Sequence, residues 1–127
     1  MGHKKPALSG LFDLQPLLAT HINSWMQLDD AAAIRNSPRF LLPDASTHGQ
    51  CQLRVSCGEF ESHEFKRQSR EYLAAWQARC LSGQWVEAPA TNHFDLPLQL
   101  ADPQSTIHRA ALQLMGLDHS SSSMRAA

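Results

Sequence analysis

Cys51-Gln52-Leu53-Arg54-Val55-Ser56-Cys57-Gly58-Glu59-Phe60-Glu61-Ser62-His63-Glu64-Phe65 is the stretch around which this chain is organised. Leu53, Val55 and Cys57 alternate with Gln52, Arg54 and Ser56, the period of a strand buried mainly on one face. Gly58 breaks the strand, Glu59 and Glu61 stand in the turn, and Ser62 is a natural N-cap for the helical pattern that follows. The reading is a strand from Leu53 to Cys57, an acidic turn, and a helix from Ser62 to about Cys80. Carboxylates therefore stand at the carboxyl end of a strand.

A second strand, Gln84 to Ala88 with its centre at Trp85 to Glu87, runs into the loop Pro89-Ala90-Thr91-Asn92-His93-Phe94-Asp95. Strand, helix and strand form a crossover unit, which joins parallel strands and is right-handed in nearly every case. Parallel strands put both carboxyl ends on one rim of the sheet, where α/β sheets place their ligands. The acidic turn and His93 should open onto that rim. An acid followed by a histidine is the second half of a hydrolase triad ordered serine, acid, histidine. The serine is missing from the pattern.

With 127 residues, 43% of them hydrophobic, the chain has material for one domain and one core. A net charge of −1, with seven histidines counted neutral, gives no strong field toward nucleic acid or an anionic membrane. Cys51, Cys57 and Cys80 are odd in number and lack C-x-x-C spacing, which fits reduced thiols packed as small hydrophobes in a cytoplasmic protein. No apolar run reaches the length of a membrane span, and Met1 to Pro6 leads into no signal-peptide core. The expectation is a soluble, cytoplasmic product.

Upstream of the central stretch, Ala7 to Phe12 reads as the tail of a strand entering a turn. Asp13 to Thr20 reads as a short helix with Asp13 as cap and Leu14, Leu17 and Leu18 on one face. A second short helix covers Leu28 to Arg35, favoured at its start by Asp29 and Asp30 and stopped by Asn36-Ser37-Pro38. Asp44 to Gly49 is loop by composition. The long helix carries Phe65, Tyr72, Leu73 and Trp76 on one side, with Gly83 expected just past its end. Leu96 to Ala101 reads as a helical turn, and Asp102-Pro103 as the N-cap and first position of a final helix ended by Gly116. Residues 118–127 read as a disordered tail behind a partial domain spanning 1–117.

Three segments carry a resemblance. Ser9-Gly10-Leu11-Phe12-Asp13-Leu14-x-Pro16-Leu17, Gly58-Glu59-Phe60-Glu61-Ser62-x-Glu64-Phe65-x-x-Gln68-Ser69-Arg70, and Asn92-His93-Phe94-Asp95 with Leu100-Ala101-Asp102-Pro103 are similar to the carboxyl-terminal part of kynurenine formamidase (arylformamidase) and related α/β-hydrolase esterases. The resemblance implies the carboxyl-terminal portion of an α/β-hydrolase fold, a short parallel sheet with flanking helices. It also implies hydrolysis of an aryl formamide, as in tryptophan catabolism, or of a small ester. Glu61 matches the family's triad acid and His93 its general base. The family's serine on a G-x-S-x-G elbow and its H-G-G oxyanion loop lie earlier in its chain, and neither motif occurs here. Met1 falls just before what would be the end of a middle strand of the family's sheet, so the chain reads as a truncated member.

From the residues alone, Glu61 could equally be a solvated turn carboxylate, Glu59 more readily so, and His93 a surface or hydrogen-bonded loop histidine. His48, Cys51, Cys57, His63 and His93 are nominal metal ligands, but no paired spacing supports a site, and neither metal nor cofactor is expected. Two functions follow. One is a serine hydrolase portion that takes a small acyl substrate only when the missing half is supplied, and is inactive alone. The other is a noncatalytic remnant acting as a binding or oligomerisation module, self-associating through an exposed sheet edge. No nucleic-acid or membrane partner is expected.

Overall fold

A computed structural model gives the structure and describes residues 4–48 and 50–117. Strands β1 (Lys4–Leu8), β2 (Gln52–Ser56) and β3 (Ser82–Trp85) form a three-stranded sheet in the order β1-β2-β3. Both pairings are parallel, with Ala7 opposite Val55 and Val55 opposite Trp85. The expected short parallel sheet with flanking helices is present. Beyond β3 the ladder continues through Val86 N–H to Val55 O at 2.8 Å and a parallel bridge between Gly58 and Ala88. β3 thus begins two residues before the predicted Gln84, while the predicted residues still track β2.

Helices cover both faces, as parallel sheets require. Leu53 and Val55 pack with Cys51, Leu81 and the α4 (His63–Ala78) residues Leu73 and Trp76, joined by Ala7. Neighbouring residues point the other way: Leu8 and Val86 pack with Ala88, with Leu96 of α5 (Asp95–Leu98) and with Ile107 of α6 (Thr106–Met115). Ser56 lies on this second face, 1% exposed, and its hydroxyl donates to Val86 O at 2.7 Å. β2 is therefore buried mainly on its Leu53 and Val55 face, while on the other face Gln52 and Arg54 are half-buried and Ser56 is covered. The alternation was present in the sequence, but the small polar Ser56 read as solvent-facing.

The connection from β1 to β2 holds the short helices α1 (Asn23–Met26), α2 (Asp30–Arg35) and α3 (Ala45–His48) with 3-10 turns at Gln15–Ala19 and Pro38–Phe40. Asp29 caps α2 by accepting from Ala32 N at 2.7 Å, as its position predicted. Three expectations change. In place of a helix from Asp13 to Thr20 there is the 3-10 turn Gln15–Ala19, before which Asp13 accepts from Gln15 N at 3.0 Å without capping a longer helix. Ala45–His48 is helical where loop was expected, since Asp44 Oδ1 accepts from Ser46 N and starts the turn. α6 begins at Thr106 under a Ser105 cap, because Asp102 instead turns the chain by accepting from Gln104 N at 2.9 Å.

Gly83 is also displaced from its predicted role. It lies inside β3, where a Cβ would meet Leu73 Cδ1 at 2.8 Å and Trp76 Cδ1 at 2.9 Å, so its bareness lets α4 close onto the sheet. The left-handed residue after α4 is Cys80, at φ 59°. Gly116 does end α6 in the left-handed conformation, at φ 72°. The predicted tail, 118–127, lies outside the described residues. Among the described residues no helix is long and apolar enough to cross a membrane.

Candidate active site

The carboxyl ends of all three strands meet on one rim. β1 ends into Ser9, β2 into Cys57 and Gly58, and the segment after β3 runs to Thr91, Asn92 and His93. Glu61 N–H closes the turn onto Gly58 O at 3.2 Å, which folds the side chain of Glu61 back over the end of β2. Ser62 then caps α4, its hydroxyl accepting from Phe65 N at 3.5 Å, the outer limit for such a bond.

The two loops are laced together by their backbones. Phe60 N–H donates to Thr91 O at 2.9 Å and Glu59 N–H to Ala88 O at 3.3 Å. Glu59 is not a free surface carboxylate: its Oε2 accepts from Ala90 N at 2.6 Å and holds that residue at φ 56°. A Cβ on Gly58 would stand 2.7 Å from Thr91 O and 3.1 Å from Glu61 Oε2, so only glycine lets the loops approach this closely. Asn92 Oδ1 accepts from Phe94 N and Asp95 N at 2.8 and 2.9 Å, which fixes the turn bearing His93.

Glu61 and His93 are brought together. Glu61 Oε1 lies 2.6 Å from His93 Nδ1, with the Glu61 side chain 2% exposed and that of His93 47%. Facing an ionised carboxylate, Nδ1 carries the proton, so the Nε2 lone pair is turned outward. The imidazole is braced by Phe65, ring centroids 5.0 Å apart, and by Phe94 edge-on at 5.6 Å. Among the described residues no serine hydroxyl is hydrogen-bonded to Nε2.

The second carboxylate oxygen is more heavily bonded. Glu61 Oε2 accepts from the Ser9 hydroxyl, from Gly58 N at 2.5 Å and from the Cys57 thiol at 3.1 Å. Burial pushes the Glu61 carboxyl up, but the bonds from Ser9, Cys57, Gly58 and His93 together outweigh it and hold it below its ordinary range. Burial, followed by the bond to Glu61, raises the Cys57 thiol to about 11, so at neutral pH it remains protonated and able to donate. Neither Ser9 nor Cys57 was singled out from the sequence as a partner of Glu61. Ser9 sat unused within the Ser9-to-Leu17 segment of the resemblance, and Cys57 read as core.

Of the nominal metal ligands, Cys57 and His93 meet through Glu61, whereas Cys51 is in the core beneath α4. The side chain of His48 lies outside the described residues. Among the described residues, no three His, Cys, Asp or Glu side chains are grouped to hold a metal ion.

No protein-family model matches the sequence. Over 110 residues the chain is 33% identical to the kynurenine formamidase of Danio rerio, and over 111 residues 32% identical to that of Salmo salar. Each match takes in 86% of this chain and 38% of the relative, so the chain spans about two-fifths of the length of these curated relatives. A crystal structure from Silicibacter sp. TM1040, of a protein provisionally described as a thioesterase, superposes with a TM-score of 0.68 at 30% identity. It covers 81% of this chain and 36% of that one. The resemblance carried by the three segments is thus a similarity across most of the chain, and the fold is of the α/β-hydrolase kind.

Proposed function

We propose that this chain, similar to kynurenine formamidases over 86% of its residues, supplies the acid and the histidine of a serine hydrolase of the formamidase and esterase kind. The observation that carries the reading is the 2.6 Å contact of Glu61 Oε1 with His93 Nδ1 on the rim shared by the strand ends. In this role Glu61 keeps the proton on Nδ1 and stabilises the imidazolium that forms when Nε2 takes a proton from the nucleophile. His93 then returns that proton to the leaving amine or alcohol. The half-exposed ring suits an approach to Nε2 from solvent or from another part of a hydrolase.

The nucleophile and oxyanion donors must come from outside these 127 residues, which hold no G-x-S-x-G and no H-G-G. Ser9, the serine at the pair, is committed to Glu61 rather than to His93. The substrate class that fits the similarity is an aryl formamide such as N-formylkynurenine, or a small carboxylic ester. By itself the chain should show no hydrolysis of either above background, and no covalent labelling by a fluorophosphonate. Supplied with the elbow-bearing portion of a kynurenine formamidase, fused or in trans, it should gain formamidase activity. That activity should fall about 10²–10⁴-fold in a His93→Ala variant. Gained activity indifferent to His93 would overturn the assignment. Labelling of the chain alone, lost in His93→Ala, would show a nucleophile within it.

A further inference from the structure

Ser9 is the residue that joins β1 to the carboxylate of Glu61, 52 positions later. Its N–H donates to Ser56 O at 2.9 Å, so its backbone is held by the sheet ladder. It is 8% exposed and sits at φ 48°, a conformation that glycine adopts with less strain. A side chain is thus kept where the backbone favours none, and its hydroxyl is bonded to Glu61 Oε2.

The three donors to Oε2 differ in what they can fix. Gly58 N and the Cys57 thiol lie three and four residues before Glu61 and belong to the same turn. A thiol is also a weak donor. Ser9 comes from another strand, so its bond references the carboxylate to the sheet rather than to its own turn. The last torsion of a glutamate side chain is broad and intrinsically sets no orientation. A strong donor on Oε2 selects the rotation that leaves Oε1 for Nδ1.

We propose that Ser9 is a positioning residue: by holding Glu61 Oε2, its hydroxyl turns Oε1 onto His93 Nδ1 and so selects the His93 tautomer whose Nε2 lone pair faces outward. The inference rests on the Glu61 and His93 reading above and deepens it. The titratable groups facing Glu61 are Cys57 and His93 themselves. Nearby, the Lys66 ammonium is held on Glu59 O, and the Glu59 carboxylate on Ala90 N. The Lys66 and Glu59 bonds do not involve Ser9, whereas the Cys57 thiol is acted on by the Ser9 hydroxyl as well as by Glu61.

The test is nuclear magnetic resonance of the 127-residue chain as wild type, Ser9→Gly and Ser9→Ala. It reads the ring nitrogens of His93 and the side-chain carboxyl carbon of Glu61 across pH. Ser9→Gly removes the hydroxyl while relieving the backbone at positive φ, so a purely structural role would leave the tautomer alone. The expected result is a predominantly Nδ1-protonated neutral His93 in wild type. Both variants should show a smaller share of that tautomer and an upward shift of the Glu61 titration midpoint. A folded Ser9→Gly chain with unchanged tautomer and unchanged midpoint overturns the proposal while leaving the pair intact. Absence of the tautomer preference in wild type instead overturns the pair. Should both variants unfold, the wild type still decides: its Ser9 hydroxyl proton should be shielded from exchange and lose that protection as Glu61 protonates. A hydroxyl exchanging freely while Glu61 is ionised overturns the proposal.

Discussion

Glu61 is an ionised carboxylate almost wholly withdrawn from water, and four donors make that tolerable: Ser9, Cys57, Gly58 and His93. The same donors make the fold sensitive to acid. Because the folded carboxyl is held below its ordinary value of 4.5, the unfolded chain takes up the proton first as pH falls. The stabilisation is therefore complete above about pH 5 and is lost as pH drops from there through the lower, folded value. Glu61→Gln removes this titration. Denaturant midpoints measured between about pH 7 and pH 3 should fall more steeply for wild type than for the variant. Parallel decline of the two would mean that Glu61 contributes nothing to the acid response.

Between elements, the decisive contact is made by Gln68 of α4. It is 3% exposed; its Oε1 accepts from Phe12 N and Asp13 N, both at 2.9 Å, and its Nε2 donates to Asp13 O and Glu64 Oε1 at 3.0 and 2.8 Å. One amide thereby ties the helix that follows Glu61 to the loop that follows Ser9, beside the stacked rings of Phe12 and Tyr72 at 4.2 Å. Arg39 closes the same loop from outside with a 2.9 Å bond to Asp13. Gln68→Leu keeps the bulk of the side chain but leaves two backbone N–H groups without their acceptor. The expected destabilisation is about 2–4 kcal/mol, read as a lowered denaturant midpoint. A loss under about 0.5 kcal/mol would show that water replaces the amide without cost.

At the scale of the whole molecule, the order β1-β2-β3 leaves the outer edges of β1 and β3 without a strand partner among the described residues. Ser9 N–H points to β2, so Pro6, two positions alternate from Leu8, faces outward and interrupts the free edge with its missing N–H. Lys4 and Lys5 are exposed beside it. The β1 edge is therefore poorly suited to pairing, whereas Trp25 at 78%, Phe94 at 83% and Leu98 at 70% exposure offer apolar surface instead. We expect the chain to self-associate between about 10 μM and 1 mM, through these side chains rather than by strand addition at β1. Sedimentation equilibrium should show a concentration-dependent mass, reduced in a Phe94→Ser, Leu98→Ser variant. A monomer throughout that range would count against it.

The sequence determined the parts of this protein that depend on local periodicity and capping. The alternation of Leu53, Val55 and Cys57, the helical stripe from Phe65 to Trp76 and the crossover between them follow from backbone geometry, and they placed Glu61 and His93 at strand ends on one rim. Tertiary structure decided what those residues touch. Gly83 looks like a helix stop until Leu73 and Trp76 are seen lying against it. Ser56 looks polar and solvent-facing until α6 covers it, and Asp102 looks like a cap until Ser105 is seen to hold that place. Ser9 had no readable link to Glu61, because a hydrogen bond across 52 residues leaves no trace in local pattern. Such contacts arise only once parallel strands bring distant segments to the same rim. There a buried charge is stable only with several donors, and in this chain those donors come from three separate strand ends.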